Sequence, residues 1–147
     1  MSHTETLQSF GTPSTTTRPR GRRVLRSVGA VLAGLVGIFA VTTAVDIVMH
    51  ATGVFPPSYA TTPMSSALFL LAFAYRFVID VAGSWLTARL APDRPMRHAL
   101  ALGWVGLGLS ITGAIALWNA GPHWYPIALA ASALPCAWLG GRLHRRA

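Results

Sequence analysis

The sequence predicts an all-α polytopic membrane protein, a bundle of four transmembrane helices with both termini in the cytoplasm. Three observations predict it. Only 11% of the 147 residues are Asp, Glu, Lys or Arg, against about 25% in an ordinary soluble domain. The hydrophobic share is 52% and the mean hydropathy is +0.49. The charges gather in short arginine blocks that separate long apolar runs.

The elements follow in order. Residues 1–23 are rich in Ser and Thr with scattered Pro and Gly, a composition expected of a disordered cytoplasmic tail. A transmembrane domain is expected over 24–143, with residues 144–147 as a short basic tail. The first span, about 26–50, is an apolar run interrupted by Asp46. Gly53, Pro56 and Pro57 then mark a turn. The second span, about 65–89, carries Arg76 and Asp80 inside it, and Pro92 and Pro95 flank its end. Positions 99–141 contain no Asp, Glu, Lys or Arg. One continuous helix there would be about 65 Å long, twice a ~30 Å hydrocarbon core. The stretch must therefore turn back, and Gly121-Pro122 supplies the break. This gives spans at about 96–118 and 123–142, with Pro126 suited to a helix first turn.

Orientation comes from the twelve arginines, since the chain has no lysine. Arg18, Arg20, Arg22, Arg23 and Arg26 precede the first span. Arg89, Arg94 and Arg97 lie between the second and third, and Arg142, Arg145 and Arg146 follow the fourth. Eleven of twelve thus fall on one side, which predicts a cytoplasmic membrane protein with both ends inside. Trp118, Trp124, Tyr125 and Tyr59 gather at the outer boundary, and Trp85 and Trp138 near the inner one, as in an aromatic belt. A pI near 11.5 would suggest nucleic acid in a soluble chain. Here the arginines sit beside apolar runs, so no nucleic-acid partner is expected. The block from Arg18 to Arg26 would attract anionic lipid headgroups, or serve topology alone. Arg22-Arg23 before an apolar run also loosely fits a twin-arginine signal, but the run exceeds a 7–15-residue signal core, so the span is retained.

Lipid competes with apolar side chains, so membrane helices associate through close backbone approach. Small residues recur at three- or four-residue spacing as Ala30, Gly34 and Gly37, as Ala99, Gly103, Gly106, Ser110 and Gly113, and as Ala130, Ala133, Ala137 and Gly140. They predict packing faces within the chain, with a homodimer face as the alternative.

Asp46, Arg76 and Asp80 are the most informative residues. A central Arg or Asp costs about 2.5–3.5 kcal/mol to insert, so it should face protein or water. Side chains lean towards the helix N-terminus, which aims Asp80 at Arg76 and Arg76 at the level of Asp46. An Asp46–Arg76–Asp80 triad is expected at the bundle centre. One reading is a polar clamp that fixes helix pairing, because two carboxylates on one Arg leave no evident cavity-forming excess. The other is a path for a proton, ion or small polar solute. His50 and His123 are expected near the outer face. With Asp46 they could supply three ligands, but nothing in the spacing demands a metal and none is assigned. No Gly-rich phosphate loop, H-E-x-x-H or G-x-S-x-G occurs. Neither a cofactor nor an enzymatic activity is expected, and Cys136, the single cysteine, cannot form an intramolecular disulfide.

The run Gly83-Ser84-Trp85-Leu86-Thr87-Ala88-Arg89-Leu90-Ala91-Pro92, then Pro95-Met96-Arg97-His98, resembles a segment of small uncharacterised bacterial membrane proteins. So does Trp118-Asn119-Ala120-Gly121-Pro122, followed by Trp124-Tyr125-Pro126 and Leu134-Pro135. The resemblance covers about residues 26–143. It implies a four-helix integral membrane protein and brings no activity or site residues. Small multidrug transporters are similar in architecture, with four helices and an acidic residue in the first. Theirs is a Glu near mid-helix, whereas Asp46 is displaced outward and the Arg76–Asp80 pair is not part of their pattern. The expected role is a non-enzymatic accessory or interaction protein. The alternative is a small transporter working through Asp46, Arg76 and Asp80.

Overall fold

A computed structural model describes residues 20–56, 64–119 and 121–146. The expected tail lies mostly outside the described residues, as does Tyr59. The four helices are α1 (Arg20–Ala51), α2 (Ser66–Leu90), α3 (Pro95–Ala116) and α4 (Trp124–His144). The first three are long and apolar enough to cross a membrane. Three helices begin and end within two residues of the expected spans. The exception is α1, which starts at Arg20 rather than near 26, so residues 20–23 are helical and not part of the tail. Arginine is a good helix former, and a basic segment can continue a helix beyond the apolar run that hydropathy detects.

Local chemistry sets the other ends. Gly53 adopts φ +73° just after α1, and the N–H of Phe55 returns to the carbonyl of Met49 at 2.9 Å. Ser65 caps α2 by accepting from the N–H of Leu68. Pro95 opens α3, where a missing N–H costs nothing. Pro135 lies inside α4, which remains helical through it.

The core is inverted relative to a soluble protein. Of nine buried apolar residues among the described ones, six are alanines, while Leu25 and Ile115 are each 75% exposed and Phe39 is 73% exposed. Large apolar side chains point out and small ones point in. Burying large side chains drives folding in water, but in lipid it gains little, and close approach of backbones decides the packing.

The closest approaches lie towards the end that carries the chain termini. A Cβ on Gly140 would sit 2.6 Å from the backbone N of Trp85 and the carbonyl O of Val81, so α4 rests directly on the backbone of α2. A Cβ on Gly103 would sit 2.6 Å from the Cβ of Ala137, which brings α3 onto α4. Gly34 of α1 faces Gly83 and Thr87 of α2. The helix α4 therefore packs between α2 and α3, whereas α1 packs on α2 and, less extensively, on α3. At the same end Arg89 lies over the Trp85 ring at 5.2 Å and Arg142 over the Trp138 ring at 4.9 Å. These cation–π contacts hold both tryptophans beside charged groups, as a headgroup boundary would favour.

The small-residue stripe of α3 divides in two. Ala99 and Gly103 are buried in packing, whereas Gly106, Ser110 and Gly113 line open space between the helices.

Gly140→Ala should destabilise by about 1–3 kcal/mol, the usual cost of overpacking. Gly108, where an added Cβ meets nothing within 4 Å, serves as the control. Gly108→Ala should be neutral or gain about 0.5–1 kcal/mol from helix propensity. Thermal unfolding in one detergent, followed by tryptophan fluorescence, compares the two. Equal losses would contradict the packing.

Candidate functional site

Three intramembrane charges are set at different depths by helical rise. Asp46 lies about 8 Å from the α1–α2 loop end, Arg76 about 15 Å and Asp80 one turn deeper. The two helices run antiparallel, so an α2 side chain leaning towards its own N-terminus leans towards Asp46. Arg76 Nη2 donates to Asp46 Oδ2 at 2.6 Å. The hydroxyl of Tyr75 donates to Asp46 Oδ1. Both carboxylate oxygens are therefore engaged by α2. The pair is partly open, with side chains 31% and 28% exposed for Arg76 and Asp46. Arg76 Nε is buried and has no hydrogen-bond partner.

Asp80 does not complete the expected triad. Among the described residues, no cation lies within 4.0 Å of its carboxylate. The guanidinium can commit itself to only one direction, and the aspartate already bound by Tyr75 holds it. The arrangement is an Asp46–Arg76 pair with Asp80 beyond it.

Two cavities meet at this pair. The larger, about 690 Å³, opens among all four helices towards the α1–α2 and α3–α4 connections. Asp46, Tyr75 and Arg76 supply its charged end, and Phe55, Phe69 and Tyr125 line its apolar wall. The smaller, about 200 Å³, extends towards the termini end and is lined by Asp80, Ser84, Thr42 and Ser110. Arg76 and Ser110 face both. Each wide gap lies beside Gly or Ser of α3, where no large side chain fills the space. The larger volume falls in the ~300–1,000 Å³ range of small-molecule sites.

No family model, curated protein or solved structure matches the chain. Its chemistry therefore rests on the residues themselves.

The remaining candidates are local. His50 Nδ1 donates to the main-chain carbonyl of Asp46 at 2.8 Å, and its ring meets Phe55 edge-on at 5.5 Å. His123 stacks on Trp118 at 4.3 Å. Among the described residues no group of three or more His, Cys, Asp or Glu could hold a metal ion. Tyr75 is the residue that the sequence reading did not single out. Its signal was a tyrosine at mid-helix beside Arg76, away from the interfaces where tyrosines of membrane helices concentrate.

Removing one partner of a partly buried pair leaves the other uncompensated. Arg76→Gln should cost about 2 kcal/mol, below the ~3–5 kcal/mol of a fully buried pair because solvent reaches this one. Asp46→Asn combined with Arg76→Gln should recover part of that loss. Asp80→Asn should change stability by less than about 0.5 kcal/mol, since no ion pair is broken. Thermal unfolding of the three variants in one detergent checks the ranking.

Proposed function

We propose that this protein is a four-span membrane protein, with both termini cytoplasmic, that passes a small polar or charged solute through the space around Arg76. The supporting observation is a cavity of about 690 Å³ that ends on the Asp46–Arg76 pair and adjoins a second, mainly apolar cavity on the far side of the same guanidinium, into which Asp80, Thr42, Ser84 and Ser110 face. A clamp needs the pair but has no use for open volume on both sides of it. Below Arg76, α2 continues the polar line with Asp80, Ser84 and the buried Thr87, whose Oγ1 has no partner.

The fourth span is part of this proposal. At 21 residues α4 is about 31 Å long, enough for a ~30 Å core. Trp124, Tyr125, two prolines and two glycines lower its hydropathy, and its tight packing on α2 and α3 shields it from lipid. Arg22, Arg23 and Arg26, with the blocks after α2 and α4, would then lie at the inner leaflet beside anionic headgroups. A bacterial cytoplasmic membrane is the setting implied by the sequence resemblance. The accessory or interaction role, including a homodimer, would place no demand on the cavities. The α1 and α4 stripes are also largely used inside the chain, since Ala30, Ala137 and Gly140 are buried.

Water access separates a pathway from a clamp. In a Cys136→Ser background, Ser110→Cys should react with a charged, membrane-impermeant thiol reagent added to oriented membranes. Ile111, next to Ser110 on α3 and so at similar depth, is 47% exposed on the outer surface, where lipid would cover it, and Ile111→Cys should stay unmodified. Protection of Ser110→Cys from both sides would overturn the proposal. A reporter fused after residue 147 should be accessible only from the cytoplasmic side.

A further inference from the structure

We propose that Asp80 is a proton-binding site, occupied while Arg76 is engaged by Asp46 and emptied when Arg76 is released. The starting point is charge balance. The interior of the bundle holds one guanidinium and two carboxylates. Arg76 donates to Asp46 at 2.6 Å, and Tyr75 donates to the other oxygen of the same carboxylate. This pair is neutral and accounts for the only cation in the middle of the spans. Asp80 is left with no cation within 4.0 Å among the described residues. An ionised carboxylate in that position would lie in low dielectric with its charge unbalanced, and such a group takes up a proton instead.

The surroundings suit a proton. From α1, Thr42 faces the cavity beside Asp80, from α3 Ser110, and from α2 Ser84 and Arg76. On α4, Cys136 is the titratable group that interacts electrostatically with Asp80, and its Sγ donates to the carbonyl of Phe77 at 3.8 Å. Thus α1 and α3 present hydroxyls, α4 a thiol, and α2 a hydroxyl and a guanidinium whose hydrogen bond goes to Asp46 rather than Asp80. The cavity of about 200 Å³ has room for several waters, each of which needs two to four polar partners. The proton comes from cavity water, forms an O–H bond at an Asp80 oxygen, and returns to water when that bond breaks.

Arg76 and Asp80 are four residues apart on one helix face. A guanidinium freed from Asp46 can therefore swing one turn and stabilise the Asp80 carboxylate, which expels the proton. A solute that occupies the Asp46 carboxylate in the larger cavity would in this way exchange for a proton at Asp80. This coupling rests on the proposed solute pathway, whereas the resting protonation state does not.

The chain's poverty in acids makes the test direct, since its only aspartates are Asp46, Asp80 and Asp93. The full chain is labelled with carboxyl-¹³C aspartate and reconstituted in lipid in a sodium-free buffer. Infrared or solid-state NMR signals of protonated and ionised carboxyls are then recorded against pH. At neutral pH one protonated aspartate is expected. It should be lost in Asp80→Asn and kept in Asp93→Asn. It should also disappear in Asp46→Asn, where Arg76 is released. If Asp80→Asn does not fold, Asp80→Glu assigns the signal instead, since the labelled aspartate signal should disappear there while a carboxyl is retained. Three ionised aspartates in the wild type, or a protonated signal that survives Asp80→Asn, would overturn the proposal. So would its loss on adding sodium at constant pH, which would make the site one for a metal cation. Cysteine labelling that fails while the protonated carboxyl is present would remove the pathway and keep the proton site. The opposite pair of results would do the reverse.

Discussion

A guanidinium placed about 15 Å inside a membrane-length helix has to meet an anion, and the position of Asp46 decides how the bundle is held open. At the termini end, α1 touches α2 where Gly34 meets Gly83 and the Thr87 side chain, and Ile38 lies over Gly83, so the glycines let the two backbones come close. Nearer the loops, the same two helices are joined by Asp46, Arg76 and Tyr75, whose side chains span a wider gap. The helices are thus close at one end and bridged at the other. The larger cavity occupies the bridged end.

The same contrast governs the rest of the bundle. Around α4 the contacts are backbone on backbone, at Gly140 with α2 and between Gly103 and Ala137 with α3. They create a firm three-helix unit of α2, α3 and α4. Outside it, α1 makes no close backbone approach to α4 among the described residues. Residues of α3 that share one face therefore have two fates. Those near Gly103 disappear into packing, and those near Ser110 are left facing space.

Much of this was legible in the sequence because membrane helices obey few rules. The hydrocarbon thickness sets their length, and proline and glycine mark their turns, so α2, α3 and α4 fall close to the expected boundaries. The start of α1 was not legible from hydropathy, since Arg20, Arg22 and Arg23 extend the helix without extending the apolar run. Likewise, spacing brought Asp46, Arg76 and Asp80 to one region but could not divide a single guanidinium between two acids. In the fold the guanidinium goes to Asp46, the carboxylate that also accepts from the Tyr75 hydroxyl. The cavities were hidden for a related reason. Periodicity shows which residues share a face, but not whether the facing helix comes near enough to fill it.

The order of the two partners along the chain matters for how the protein is made. Asp46 lies on α1 and is made before Arg76 on α2. When the arginine-bearing segment reaches the bilayer, a carboxylate is already there to receive it, so these two charges can enter as a neutral pair. Asp80 follows Arg76 by a single turn and arrives with its charge already unmatched. The glycine of α4 that grips α2 is translated later. Until then the hairpin of α1 and α2 stands on the Asp46–Arg76 pairing and on the contact of Gly34 with Gly83.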